Sequence, residues 1–149
     1  MFNKLNACKC SNSWQDAGKL LLRLALGSIF VYHGYAKFVM GNVAVAGFFT
    51  SIGIPAAEFF APLVIWVEMI AGGALILGLC THWASKLLSV VAVVALFTAH
   101  ISKGFSVAAG GYEFILLILA SSLAILTMGA GKYSIDEYWC KNKTGPSGV

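Results

Sequence analysis

The chain has 149 residues, 59% of them hydrophobic and 11% charged, with a mean hydropathy of +0.83. A soluble domain carries roughly 25% charged residues, so there is too little polar surface here to cover a water-soluble globule, and the composition is that of a one-domain integral membrane protein. The net charge of +4 comes without a basic run or a patterned basic stripe, which removes nucleic acid as a partner.

Residues 1–19 are polar and mixed, and Asn12, Ser13 and Asp16 can cap a helix start. The apolar run begins late and no A-x-A site follows it, so this is not a signal peptide. Cys8-Lys-Cys10 forms a C-x-C pair with no second pair or histidine cluster nearby. It reads either as two free thiols in a mobile tail or as a redox-active or metal-touching pair; a structural zinc site is not expected.

The first predicted span, Leu20 to Phe38, contains Arg23, His33 and Lys37. Arg23 lies within a turn of the start and is expected to snorkel to the headgroups. His33 and Lys37 are one helical turn apart and share a face. Gly27, Gly34 and Gly41 recur every seven residues and mark a close-packed stripe. The stretch from Met40 to Phe59 is apolar, glycine-punctuated and interrupted by Pro55, too broken to span alone. It predicts a short interfacial or re-entrant helix over Val43 to Ser51 and a turn at Gly53-Ile54-Pro55, with Glu58 in water beside it.

The second span, Phe60 to Leu79, is long enough to cross a ~30 Å hydrocarbon core at ~1.5 Å rise per residue. One carboxylate, Glu68, sits in its middle, with Gly72 and Gly73 one turn on. A carboxylate at that depth costs several kcal/mol or more unless it is paired, protonated or facing a polar cavity. The third span runs from Trp83 to Ile101, with His100 near its end. Residues 102–111 form a glycine-containing loop, and the fourth span runs from Tyr112 to Ala130, with Glu113 at its start. Residues 132–149 read as a polar tail.

Lysines and arginines set the orientation. Lys4, Lys9, Lys19, Arg23, Lys86, Lys132, Lys141 and Lys143 fall on one side; only Lys37 and Lys103 fall on the other. Both termini are therefore expected in the cytoplasm and the chain in the cell (inner) membrane. There all four cysteines, Cys80 and Cys140 included, lie on or near the reducing side. Threading the spans this way places His33, Lys37, Glu68, His100 and Glu113 in the outer half, at least one from each helix. Either these groups pair as interhelical glue, or they build a binding or redox site. Glu68 is the hardest to set aside, being too deep to snorkel, and is expected to contact His33, Lys37 or His100.

The expected fold is all-α: a transmembrane four-helix bundle over residues 20–131, with the short helix between spans one and two. The residues that carry this pattern resemble the DoxX family of small four-helix membrane proteins. They are Leu22, Ile29, Phe30, Gly34 and Lys37 in the first span; Gly53-Ile54-Pro55; Glu68 with Gly72, Gly73 and Gly78; and Glu113 through Gly129-Ala130-Gly131-Lys132-Tyr133-Ser134-Ile135-Asp136. The resemblance covers roughly residues 17 to 137 and leaves Cys8, Cys10 and Cys140 outside. It implies a membrane subunit of a quinone-linked oxidoreductase, or a role in oxidative-stress and thiol homeostasis. Lys37, Glu68 and Glu113 are the matching site positions.

Two functions follow, besides a small transporter, for which four spans would need to dimerise to form a path. In one, the outer-half groups bind quinone or a small sulfur oxyanion; the histidines hydrogen-bond quinone oxygens, Lys37 holds an anion, and Glu68 carries the proton. No haem, flavin or iron–sulfur ligand pattern is present, so no covalently bound cofactor is expected, and the electron carrier would be quinone or a partner subunit. In the other, the protein is a non-enzymatic membrane scaffold for soluble redox or thiol-homeostasis partners. A homo-oligomer is compatible with both.

Overall fold

A computed structural model describes residues 12–143; Cys8 and Cys10, and with them the thiol-pair readings, lie outside the described residues. The described chain is helical, with no strand among those residues. Helix α1 covers Asn12–Met40, α2 Asn42–Ser51, α3 Ala57–Leu77, α4 Thr81–Ala95, α5 Glu113–Met128 and α6 Ile135–Lys143. The long helices α1, α3, α4 and α5 build the expected bundle, and α2 is the expected short helix between the first two.

Each boundary has a local cause. Gly41, at φ 89°, lets the chain leave α1 and restart as α2. Gly78, at φ 68°, closes α3, with the Leu79 amide donating to the Ala74 carbonyl at 2.9 Å. Helix α4 passes into a π-helical turn, Leu96–His100, and a 3-10 turn, Ile101–Lys103, where a plain helix was expected.

Two stretches, Ala57–Leu77 and Thr81–Lys103, are long and apolar enough to cross a membrane by length and composition. Helix α1 has the length, at 29 residues, but Arg23, His33 and Lys37 interrupt it. Helix α5, at 16 residues, reaches only about 24 Å at ~1.5 Å per residue.

The bundle is apolar both inside and out. Leu26 and Phe30 of α1, Leu75 of α3, Leu88 of α4 and Ile125 of α5 close one core; Val45 and Phe49 of α2 pack with Ala61 and Ile65 of α3 in another. Meanwhile Leu63, Ile70, Val90, Phe97 and Leu117 stand exposed, as suits an acyl-chain solvent and not water.

The tightest pairing is α1 against α3. A Cβ at Gly27 would come within 2.6 Å of the Gly72 carbonyl oxygen, and one at Gly72 within 2.9 Å of the Gly27 carbonyl oxygen. No side chain fits there, so the backbones touch. Gly34 continues the stripe against Glu68 and Met69, whereas Gly41 is a turn residue with open space around it.

The start of α1 and the segment after α5 meet at one end of the bundle: the Lys132 amide donates to Asp16 at 3.3 Å. We call this the terminal end and the opposite one the loop end.

Candidate functional site: an ion pair at the α1–α3 contact

Gly34 lets α3 approach α1 so closely that the Glu68 Cβ lies 3.1 Å from where a Cβ would stand on residue 34. Three residues on, Lys37 reaches across the same contact, and its Nζ donates to Glu68 Oε2 at 2.5 Å. The carboxylate is sealed, with 5% of its side chain exposed, while Lys37 keeps 23%. The bond uses one of three ammonium donors and one of two carboxylate oxygens. The site is therefore closed on the α3 side and open on the lysine side.

His33 lies one turn before Lys37 on α1. It is exposed, and its Nδ1 hydrogen-bonds the Ile29 carbonyl at 2.8 Å. The Phe38 ring meets Trp66 edge-on at 6.1 Å, a second cross-contact of α1 and α3 beside the pair.

The other two expected site residues do not join the pair by hydrogen bonds. His100 Nδ1 meets the Gly110 carbonyl at 2.9 Å, and Glu113 Oε1 accepts from the Val107 amide at 2.8 Å. Both fold the 101–112 loop onto the loop ends of α4 and α5. Sequence position alone put all five groups in the outer half of the bundle; the partner carbonyls and amides in a glycine-rich loop could not be read from it.

Arg23 corrects the snorkelling expectation. It is fully buried, donating from Nη1 to the Ala130 carbonyl at 2.8 Å and from Nη2 to the Tyr133 carbonyl at 2.6 Å. Gly78 makes the room, since a Cβ there would collide with the guanidinium. Beside it, Asp136 caps α4: its Oδ1 accepts from the Cys80 amide at 2.7 Å and its Oδ2 from the Thr81 amide at 2.8 Å. The terminal end is thus a second polar centre, and α6 is a helix where a polar tail was expected. The signal was present in Ser134-Ile135-Asp136-Glu137: a serine and two acids ahead of an aromatic pair are a helix start. Ser134 Oγ does accept from the Glu137 amide at 3.2 Å.

A helical bundle with an apolar exterior and two buried polar centres is an integral membrane protein. The DoxX family profile matches residues 18–101, and the chain belongs to the DoxX family. It is 32% identical to the putative oxidoreductase CatD of Bacillus subtilis (strain 168), over 86% of this chain and 91% of that one. It is 31% identical to the uncharacterized membrane protein Rv3486 of Mycobacterium tuberculosis, over 84% of this chain and 83% of the relative. With the inner membrane protein YqjF of Escherichia coli (strain K12) it shares 26% identity, over 83% and 92% of the two chains. No solved structure matches it.

Proposed function

We propose that the protein is a redox-linked membrane protein in which the Lys37–Glu68 pair binds an oxygen-bearing ligand, a quinone or a small sulfur oxyanion, from the loop end. The observation that carries this reading is the asymmetry of the pair, a sealed carboxylate and an open ammonium at 2.5 Å. Polar contacts between membrane helices average about 0.6 kcal/mol, so glue is a small return for two costly charges. Helices α1 and α3 already interlock at Gly27 and Gly72. That one relative carries the name putative oxidoreductase supports the redox reading.

The donor set fits such a ligand. Lys37 has two donors left for a carbonyl or oxyanion oxygen and acts as a point charge. Glu68 exchanges a proton with the open side through its bond to Lys37. A bound quinone would supply the two-electron acceptor, with electrons from a reduced sulfur compound or a partner protein. The scaffold reading for soluble redox partners has its own support in α6, where Tyr138 and Trp139 are 64% and 54% exposed.

The test is to purify the chain in mild detergent and measure quinone in the extract and thiosulfate binding by calorimetry. Wild-type protein is expected to carry one of these ligands, and Lys37→Gln to lower occupancy at least tenfold. The double variant Lys37→Gln/Glu68→Gln, which strands no charge, should fold and bind neither. Wild-type binding by that variant would make the pair structural and leave the scaffold reading.

A further inference from the structure

Helices α3 and α4 are antiparallel neighbours joined by the short turn at Gly78 to Cys80, and they do not close against each other along their outward face. A furrow of about 280 Å³ runs between them. Its floor is made of small residues: Ala71 and Ala84 are buried and Ala74 lies between them, while Trp66, Ile70 and Trp83 rise as walls. On α3 the lining runs from Leu63 to Ala74, about 16 Å at ~1.5 Å per residue. That is half of a ~30 Å hydrocarbon core, the depth of one leaflet. The furrow ends at the terminal end of the bundle, beside Trp83.

The charge at that mouth is one-sided. The Lys86 Nζ sits over the Trp83 ring, 5.2 Å from its centroid. Lys86 is exposed and forms no ion pair among the described residues. The nearby carboxylate of Asp136 is already occupied by the Cys80 and Thr81 amides. A leaflet-long apolar channel with an uncompensated, ring-held cation at its water end matches one molecule: a phospholipid with an anionic headgroup.

We propose that the α3–α4 furrow is a specific site for one anionic phospholipid, an acyl chain lying over Ala71 and Ala74 and the phosphate on Lys86. A headgroup phosphate attracts a juxtamembrane lysine, and the indole braces the cation at the interface. A zwitterionic lipid would fill the same furrow without the net attraction. A helix of a second copy fits less well, because the exposed Trp66 and Trp83 side chains stand along the channel in its way. This site is separate from the Lys37–Glu68 pair and stands or falls independently of it.

The test uses the full chain with Trp14, Trp66 and Trp139 changed to Phe, leaving Trp83 as the one fluorophore. It is reconstituted in phosphatidylcholine vesicles containing brominated phosphatidylglycerol or, in parallel, brominated phosphatidylcholine. Half-maximal quenching of Trp83 is expected at a several-fold lower mole fraction of the brominated anionic lipid. Lys86→Gln should erase that difference, Lys86→Arg should keep it, and Ala74→Phe should weaken quenching by filling the floor. Circular dichroism checks that each variant is folded. Equal quenching by both lipids in the parent protein overturns the proposal, because the furrow is then ordinary annular surface. Quenching by neither, with energy transfer between labelled copies at high dilution in lipid, also overturns it and assigns the furrow to a second copy of the chain.

Discussion

Glu68 and Arg23 are both charged groups inside the bundle, yet they are partnered in different ways. Glu68 meets one counter-ion; Arg23 meets two backbone carbonyls. Neutralising Glu68 leaves an ammonium that can still reach the open side, so Glu68→Gln should cost about 1–3 kcal/mol, less than the ~3–5 kcal/mol of a fully enclosed pair. A larger loss in detergent unfolding would mean that Lys37 has no route to solvent. Asp136 is the cap of α4, and Asp136→Ala should lower stability by about 1–2 kcal/mol. An unchanged unfolding midpoint would refute that role. The importance of Glu68 was legible in the sequence, because a lone carboxylate amid twenty apolar residues demands a partner. Asp136 was not, because its worth lies in two amides more than fifty residues away, at a helix start that no side-chain spacing reveals.

Among the elements, the α1–α3 pair carries the site and is set by glycine. Gly27→Ala places a methyl on the Gly72 carbonyl and should cost about 1–3 kcal/mol by forcing the backbones apart. Gly73→Ala is the internal contrast: its Cβ would meet nothing within 4 Å. It should stabilise by about 0.5–1 kcal/mol through helix propensity alone. Equal effects at the two positions, measured by thermal melting in the same detergent, would show that the close approach is not the controlling contact. The seven-residue glycine spacing predicted this stripe, and it holds at Gly27 and Gly34. It fails at Gly41 because a glycine at a helix end serves dihedral freedom and not proximity, and spacing cannot separate the two. Helix α6 was missed for another reason. Short and polar, it carries no apolar period, and the serine and acids at its start are its one sequence signal.

For the whole molecule, the structure brings the start of α1 and the segment after α5 to the same end. Which side of the membrane that end faces rests on the lysine and arginine bias, and we expect the cytoplasm. A C-terminal fusion to a reporter active only in the cytoplasm should give signal, and one active only in the periplasm should not. The reverse pattern would invert the bundle and place the Lys37–Glu68 site on the cytoplasmic side. The bundle itself was legible because four apolar stretches separated by turn residues admit few arrangements. The division of its polar groups between two ends was not, since both centres depend on backbone carbonyls and amides.

The burial of Arg23 also sets an order of events during synthesis. Its two acceptors, on Ala130 and Tyr133, lie 107 and 110 residues further along the chain. At a translation rate of ~5–20 residues per second, that separation is a wait of roughly 5–20 s. Through that interval the first helix is in place while its guanidinium has neither acceptor. The arginine is thus a timer that only a finished chain can stop, and an open corner marks a nascent or truncated copy.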